Sequence, residues 1–177
     1  MKITMVMLMS LDGKTTRGNE ADVRAWASAE DQAYFTSLIQ QSRLIIMGRE
    51  TYDAVKTHIR LSSDKLRVVL TRRPELYESK AVAGQLEFST DTPTELMQKL
   101  EKRGFQELLL LGGSTTNAAF FQVELVDELY LTIEPTMFGS GKSLVHEQVS
   151  DISLQLISVK QLNERGTLLL IYKILHQ

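Results

Sequence analysis

The chain has 177 residues, of which 43% are hydrophobic and 24% are charged, a composition typical of one globular domain with a sizeable core. Its net charge of −2 gives no general attraction for nucleic acid or for an anionic membrane surface. The absence of cysteine excludes disulfides, thiol nucleophiles and thiolate metal sites, and it is consistent with a cytoplasmic location. No metal site is predicted, because His58, His146 and His176 lack the spacing of metal ligands.

Four apolar runs predict central strands. Residues 3–9 are apolar at nearly every position, and they predict a strand rather than a signal peptide because no small-residue cleavage site follows. Leu44–Gly48, 68–70 and 108–111 have the same character, which is typical of strands buried on both faces. No run reaches the roughly 18 residues of a membrane span.

Helical segments lie between these strands. Ala29–Gln41 has helical spacing, and residues 92–104 end with Gly104, where a helix C-terminal glycine belongs. The stripe of the first helix that we expect to be apolar comprises Ala33, Phe35, Leu38 and Ile39.

The last third changes character. Residues 126–135 predict a further strand, and 152–162 and 167–175 flank the turn NERG as an antiparallel hairpin. The pattern predicts an α/β fold: one domain over residues 1–177 with a mixed, mostly parallel sheet and flanking helices. Ligands of such sheets bind at the carboxyl ends of the strands.

Three strand-to-loop junctions there have the residue types of an anion site. GRET (48–51) and GGSTT (112–116) each follow a strand and precede a helix-like segment. Glycine lets the backbone approach a ligand, and helix N-terminal N–H groups point at phosphate. Thr71, Arg72 and Arg73 could clamp a phosphate monoester. Singly, such glycines are usually turns and such arginines usually solvated.

Together the junctions favour NADPH over NADH, with the helix N-termini at the pyrophosphate. Arg49, Thr71 and Arg72 suit the 2′-phosphate that distinguishes the two cofactors. The residues assigned to the cofactor here are Gly48, Arg49, Thr51, Thr71, Arg72, Gly112, Gly113, Ser114 and Thr115.

The segment FGSGKS (138–143) ends like a nucleotide-binding P-loop. The first glycine of that motif is missing, since Thr136 stands there, and too few residues follow for a parallel sheet. We interpret the segment as a glycine-rich turn with a solvated Lys142.

These segments resemble the dihydrofolate reductase-like superfamily. IIMGRETYDAV (45–55) and LLLGGSTTNAAFF (109–121) resemble the second strand with its helix and the Gly-Gly cofactor loop of dihydrofolate reductase. MSLDGKT (9–15) and LVDELYLTIEPTMFGSGKSL (125–144) are similar to the reductase domain of riboflavin biosynthesis, known as the RibD C-terminal domain. The resemblance covers most of the chain and implies an NADPH-dependent reductase.

The same resemblance implies a reacting centre. Ser28 and Asp31 have the spacing of a helix cap. WASAEDQAYF (26–35) is also similar to the segment that carries the single active-site carboxylate of dihydrofolate reductase, and Thr132 to its hydrogen-bonding partner. Asp31 would then favour protonation of the substrate nitrogen while the cofactor donates hydride. Both interpretations of Asp31 stay open, since they are compatible.

Four more residues are assigned to the cofactor. The resemblance implies that the loop after the first strand, with Ser10, Asp12 and Gly13, covers the nicotinamide, although the pattern also suits a plain Asp-Gly turn. Trp26 is counted with them on the same resemblance.

The substrate positions depart from both branches of the superfamily. Where folate reductases carry an arginine before the third strand, this chain has Lys65, with Arg67 nearby. Where riboflavin reductases carry an acid and a glutamate, it has Val55 and Leu111.

The expected activity is NADPH-dependent reduction of a ribosylaminopyrimidine phosphate, of the 5-amino-6-(5-phosphoribosylamino)uracil reductase type. The alternatives are dihydrofolate reductase and an NADP-binding module without turnover. No deaminase domain is expected in this sequence, because 177 residues are too few for a second domain and the Cys/His zinc ligands of a deaminase are missing. The resemblance also implies a homodimer, with a small molecule as its other partner.

Overall fold

A computed structural model describes residues 1–20, 22–146 and 151–176. The strands are β1 (Lys2–Ser10), β2 (Leu44–Gly48), β3 (Leu66–Leu70), β4 (Leu86–Ser89), β5 (Glu107–Leu110), β6 (Glu128–Glu134), β7 (Ser153–Gln161) and β8 (Leu168–Leu175). The α-helices are α1 (Ala29–Gln41), α2 (Arg49–Val55), α3 (Pro93–Lys102) and α4 (Ser114–Gln122). Short 3₁₀ helices span Val23–Ala25, Lys56–His58 and Pro74–Lys80.

The strands form one eight-stranded sheet in the order β4-β3-β2-β5-β1-β6-β8-β7. The strands from β4 to β6 in that order run parallel, whereas β8 is antiparallel to β6 and β7 is antiparallel to β8. The predicted α/β class, the central strands and the C-terminal hairpin are therefore confirmed. β4 was not predicted, because its four residues, LEFS, mix polar and apolar types at the sheet edge.

Helices cover both faces of the sheet, since alternate side chains of each strand point to opposite faces. Ile46 of β2 packs with the α3 and α4 residues Leu100 and Phe120 on one face. Its neighbour Met47 packs with Tyr52 of α2 and with the end of α1 on the other. The helix α3 begins with a capping box and is followed by Gly104 at φ +89°, as predicted for a C-terminal glycine.

The expected apolar stripe of α1 is only half right. Leu38 and Ile39 pack against the core, but Ala33 is exposed and Phe35 is 36% exposed. The buried residue of α1 is Asp31, with 8% exposure. The first turns of α1 thus lie over an open cleft instead of the core.

Within the described residues, no helix combines the length and the apolar character needed to cross a membrane.

Candidate functional site

The first two glycine junctions meet at the carboxyl ends of β2 and β5. The amide of Gly48 donates a hydrogen bond of 2.6 Å to the carbonyl oxygen of Gly112. A Cβ atom at Gly48 would lie 2.4 Å from Oγ1 of Thr116, so a side chain there would force Thr116 to move. Gly112 has φ +80°, a conformation that favours glycine, and the Gly112–Gly113 peptide bond is cis.

Both helices that follow these junctions begin without a side-chain cap. The residue before α2 is Gly48 and the residue before α4 is Gly113, and neither offers a side-chain acceptor. The backbone N–H groups in the first turn of α4 are therefore free to bind an anion. Ser114 and Thr115 of that turn line a cavity of about 1360 Å³.

Two arginines of different status line the same cavity, Arg49 from the first junction and Arg72 from the third. Arg49 is paired at 3.2 Å with both Glu50 and Asp53, which neutralises much of its charge. Arg72 is exposed and has no ion-pair partner among the described residues. Thr71 is buried, and its hydroxyl oxygen accepts a hydrogen bond from the backbone amide of Arg73 at 3.2 Å.

Most of the predicted residues line this cavity. The cavity lining includes Asp31, Gly48, Arg49, Thr51, Thr71, Arg72, Gly113, Ser114 and Thr115. The predicted residues outside the lining are Ser10, Asp12, Gly13, Trp26, Gly112 and Thr132. The roles of all of them toward a cofactor stay predictions.

Asp12 ties the loop after β1 to the glycine-rich turn. Its carboxylate accepts hydrogen bonds from the hydroxyl of Ser10 at 2.5 Å and from the amides of Phe138 and Gly139 at 3.1 and 2.7 Å. The Ser10 hydroxyl, helped by these amides, lowers the pKa of Asp12 to about 2. Gly13, at φ +77°, completes the tight turn. These contacts give Ser10 and Asp12 a structural role in the loop.

The glycine-rich segment is a turn, as predicted, but Lys142 is not simply solvated. No helix begins between residues 135 and 146, so the helix of a P-loop is missing from this described segment. The Lys142 ammonium forms an ion pair with Glu50 across the cavity, which corrects our interpretation of that side chain.

Trp26 packs its ring edge-on against Phe138 of the same turn, with the ring centroids 4.9 Å apart. The guanidinium of Arg17 covers the Phe138 ring at 5.0 Å. The indole Nε1 of Trp26 is buried and finds no hydrogen-bond partner in the described part of the chain. Trp26 therefore joins the segment before α1 to the glycine-rich turn.

Asp31 takes part in the helix cap through its backbone amide only, and its side chain lines the cavity. Its amide donates to the hydroxyl oxygen of Ser28 at 3.2 Å, which is the helix cap. Its carboxyl group is 8% exposed and lines the cavity. In a complete capping box the third helical residue would bind the Ser28 amide. Here Glu134 accepts that amide at 2.7 Å instead, so the Asp31 carboxyl group is not used by the cap.

The electrostatic surroundings of Asp31 favour its protonated form. Burial, with a contribution from the negative charge of Glu134, raises the pKa of Asp31 to about 6, although a hydrogen bond with Thr132 opposes the shift. Burial, with smaller effects of Tyr130 and Asp31, raises the pKa of Tyr34 to about 12. Asp31 therefore exchanges a proton near neutral pH, which suits a general acid.

Lys65 precedes β3 and Arg67 lies within it, and the two buried cations differ in their contacts. The ammonium of Lys65 donates to carbonyl groups at the end of α1, among them that of Ser42 at 2.7 Å, so Lys65 fastens that helix. Arg67 is only 7% exposed and lines the cavity, and its buried Nη1 atom has no hydrogen-bond partner among the described residues.

From the sequence, Arg67 was identified only as a neighbour of Lys65. The signal that could have identified it is a charged residue inside a strand whose other positions are apolar. Among the described residues, no cluster of three His, Asp or Glu side chains is placed to hold a metal ion.

Comparisons with known proteins agree with this architecture. The sheet order and the cleft define a dihydrofolate reductase-like α/β fold. The structure is similar to a putative riboflavin biosynthesis protein of Shewanella sp. PV-4, with a TM-score of 0.78 and 23% identity over 99% of this chain and 100% of that chain. It is also similar to a Thermotoga maritima deaminase/5-amino-6-(5-phosphoribosylamino)uracil reductase, with a TM-score of 0.75 and 16% identity over 98% of this chain and 56% of that chain.

The family is shown by the sequence itself. The model of the RibD C-terminal domain matches residues 1–168, and the chain belongs to that family. The chain is also 24% identical over 184 residues to YyaP, an uncharacterised protein of Bacillus subtilis strain 168, with 97% of this chain and 94% of YyaP covered.

Proposed function

We propose that this chain is an NADPH-dependent reductase that transfers hydride to a C=N-type bond of a phosphorylated ribosylaminopyrimidine. The observation that carries the proposal is the shared cavity. It holds the two glycine junctions and, beside them, the buried carboxyl group of Asp31. A cofactor that approaches the backbone and a heterocycle that needs a proton would thus be held in one cavity.

The cavity fits the phosphates of a dinucleotide. A side chain at Gly48 would collide with Thr116, and the first turn of α4 is uncapped. Arg72 supplies a positive charge that no described residue neutralises, which suits the 2′-phosphate of NADPH. When bound, NADPH supplies the hydride.

The protein's own contribution to the reaction is the proton. Asp31 has a pKa of about 6, so a fraction of its carboxyl groups is protonated at neutral pH. A protonated carboxyl group can hydrogen-bond to the ring nitrogen of the substrate and donate its proton there as the adjacent carbon is reduced. Thr132, which is 3% exposed, orients that carboxyl group.

Arg67 supports a substrate that carries a phosphate. A buried guanidinium with an unpaired N–H is costly until an anion binds it. The name of the similar Thermotoga maritima protein includes a phosphoribosylamino compound, which has such a group. Val55 and Leu111 also line the cavity, so the apolar side chains at these positions are compatible with a pyrimidine ring.

Dihydrofolate reductase is the second candidate. The hydrogen bond between Asp31 and Thr132 favours it, because that pairing resembles the carboxylate–threonine pair of dihydrofolate reductase. Dihydrofolate carries carboxylates that Arg67 could bind in place of a phosphate.

Loss of NADPH absorbance with a panel of pyrimidines and pterins tests the proposal. We expect turnover with the phosphorylated ribosylaminopyrimidine and less with its dephosphorylated form. Turnover with dihydrofolate alone would select the second candidate. NADPH binding without turnover of any substrate would contradict both and leave a nucleotide-binding module. The Asp31→Asn variant is the control for turnover at this site.

We also propose that the protein is a cytoplasmic homodimer. β7 is an edge strand that is exposed along its whole length, and Leu156, Ile157 and Val159 are 50%, 57% and 57% exposed. An apolar edge strand of this kind favours pairing with another chain. Light scattering of the wild type and of the Ile157→Lys variant measures the oligomeric state. A monomeric wild type would contradict the proposed dimer.

A further inference from the structure

Glu134 is a buried carboxylate at the end of β6, on the same face as Thr132. It is 5% exposed. Its Oε1 atom accepts a hydrogen bond from the amide of Ser28 at 2.7 Å, and its Oε2 atom accepts one from the hydroxyl of Thr167 at 2.7 Å. Glu134 therefore joins the beginning of α1, the end of β6 and the turn between β7 and β8.

The partners of Glu134 are neutral. Within the part of the chain that the structure describes, no lysine, arginine or histidine forms an ion pair with it. A glutamine could accept the same hydrogen bond from the Ser28 amide without the cost of burying a charge. The fold thus needs an acceptor at this position but not an anion, which indicates that the charge serves the adjacent site.

That site is Asp31, which belongs to the same helix cap. The amide of Asp31 binds the Ser28 hydroxyl, while the amide of Ser28 binds Glu134. Glu134 takes the position that a capping box would give to the Asp31 side chain. The Asp31 carboxyl group therefore stays in the cavity beside Thr132.

Few other ionisable groups lie near the two carboxyl groups. From α1, Tyr34 interacts electrostatically with Asp31, and Tyr130 of β6 interacts with Tyr34. Glu30 is exposed and accepts a hydrogen bond from Asn163 at 3.0 Å. No cation among the described residues is paired with Asp31. Two carboxyl groups without a cation between them disfavour double ionisation.

We propose that Glu134 is a positioning residue for Asp31: it keeps the Asp31 carboxyl group out of the helix cap, and its negative charge favours the protonated form of that group. The proposal rests on the reductase function proposed above for the role of the proton. The contribution of Glu134 to the raised pKa of Asp31 agrees with this geometry.

The test is a ¹³C NMR titration of the Asp31 carboxyl group in the wild type and in Glu134→Gln. We expect Glu134→Gln to weaken proton binding at Asp31 at least about threefold, which lowers its pKa by about half a unit. If reduction requires protonated Asp31, the descending limb of the kcat pH profile moves to lower pH by the same amount, with the Kd for NADPH unchanged.

Two control variants separate charge from packing. Glu30→Gln removes a carboxylate from the same turn of α1 at an exposed position. Thr167→Val removes one hydrogen bond to Glu134 but leaves its charge. Either control should leave the titration of Asp31 near that of the wild type. A Glu134→Gln variant that loses thermal stability but titrates at Asp31 like the controls would overturn the proposal.

A second measurement does not depend on Glu134→Gln being folded. In the wild type, the ¹³C shift of the Glu134 carboxylate should inflect at the pH where Asp31 titrates, and Asp31→Asn should remove that inflection. A flat Glu134 signal in the wild type would overturn the proposal. Neither titration needs NADPH or substrate, so a failed turnover assay with intact coupling would count against the proposed function alone.

Discussion

The amide of Gly48 lies 2.6 Å from the carbonyl oxygen of Gly112, so one hydrogen bond joins the loop after β2 to the loop after β5. A methyl group at Gly48 would collide with Oγ1 of Thr116 at 2.4 Å. We expect Gly48→Ala to lower the free energy of unfolding by about 1–3 kcal/mol, as overpacking does. Denaturant unfolding measures this, and NADPH binding should weaken in parallel.

Two further variants check that prediction. Adding Thr116→Ala to Gly48→Ala removes the colliding atom, so the double variant should regain stability. Gly113→Ala places a Cβ atom 3.4 Å from Oγ1 of Thr51, an ordinary contact. It should keep its stability and lose only NADPH affinity, because its methyl group would face a ligand on the backbone. Equal stability of Gly48→Ala and Gly113→Ala would contradict the steric explanation.

Arg72→Gln should weaken NADPH binding and leave NADH binding nearly unchanged. The unpaired Arg72 guanidinium is available to the 2′-phosphate, and a hydrogen bond to a charged group contributes about 1.5–3 kcal/mol, or roughly tenfold or more in Kd. Fluorescence titration with each cofactor measures the two constants. Arg103→Gln is the matched control, because Arg103 is paired with Glu87 at 2.7 Å outside the cavity lining. Equal losses for NADPH and NADH would remove Arg72 from the 2′-phosphate site.

Asp31→Asn should abolish turnover and stabilise the protein above pH 6. The folded state raises the pKa of Asp31 to about 6 from 3.8, so the folded protein binds this proton more tightly than the unfolded chain. Stability from this group therefore falls as the pH rises from about 4 to about 6 and is constant above that. Asn stays neutral, so the variant should gain up to about 3 kcal/mol at pH 7 and nothing below about pH 4.

Asp12→Asn is the control for the predicted gain in stability, because it should change stability at pH 7 in the opposite direction. The Ser10 hydroxyl and the loop amides lower the pKa of Asp12 to about 2, so its stabilising effect is present above about pH 4 and is lost as the pH falls toward 2. Asp12→Asn should therefore lower the melting temperature at pH 7, where Asp31→Asn raises it. A fall in melting temperature for both variants at pH 7 would show that Asp31 is structural.

The sequence predicted the features that depend on local pattern. Continuous apolar runs such as Leu44–Gly48 identified the central strands, because both faces of those strands are buried. Glycines before helix-like segments identified the junctions. Local pattern failed at Phe35, because the sequence does not show that a cavity, and not core, lies against that part of α1.

Contacts between residues far apart in the sequence could not be predicted from local pattern. The bond between the Ser28 amide and Glu134 spans 106 residues, and no spacing rule connects the two positions. Without it, the Ser28–Asp31 pattern could be a complete capping box or a functional carboxylate. The pairing of Lys142 with Glu50, 92 residues away, was missed for the same reason.

Arg67→Met and Lys65→Met should have opposite effects on stability although both remove a buried cation at the beginning of β3 or just before it. Arg67 has a buried N–H without a partner, so Met at that position should raise the free energy of unfolding by about 1–3 kcal/mol. Lys65 binds carbonyl groups at the end of α1, so its loss should lower stability. Thermal unfolding of both variants measures the difference.

Arg67→Met should also raise KM for the phosphorylated substrate at least about tenfold, since an arginine–phosphate pair is lost. If Arg67→Met destabilises the protein and keeps the KM of the wild type, Arg67 belongs to the fold and not to the substrate site.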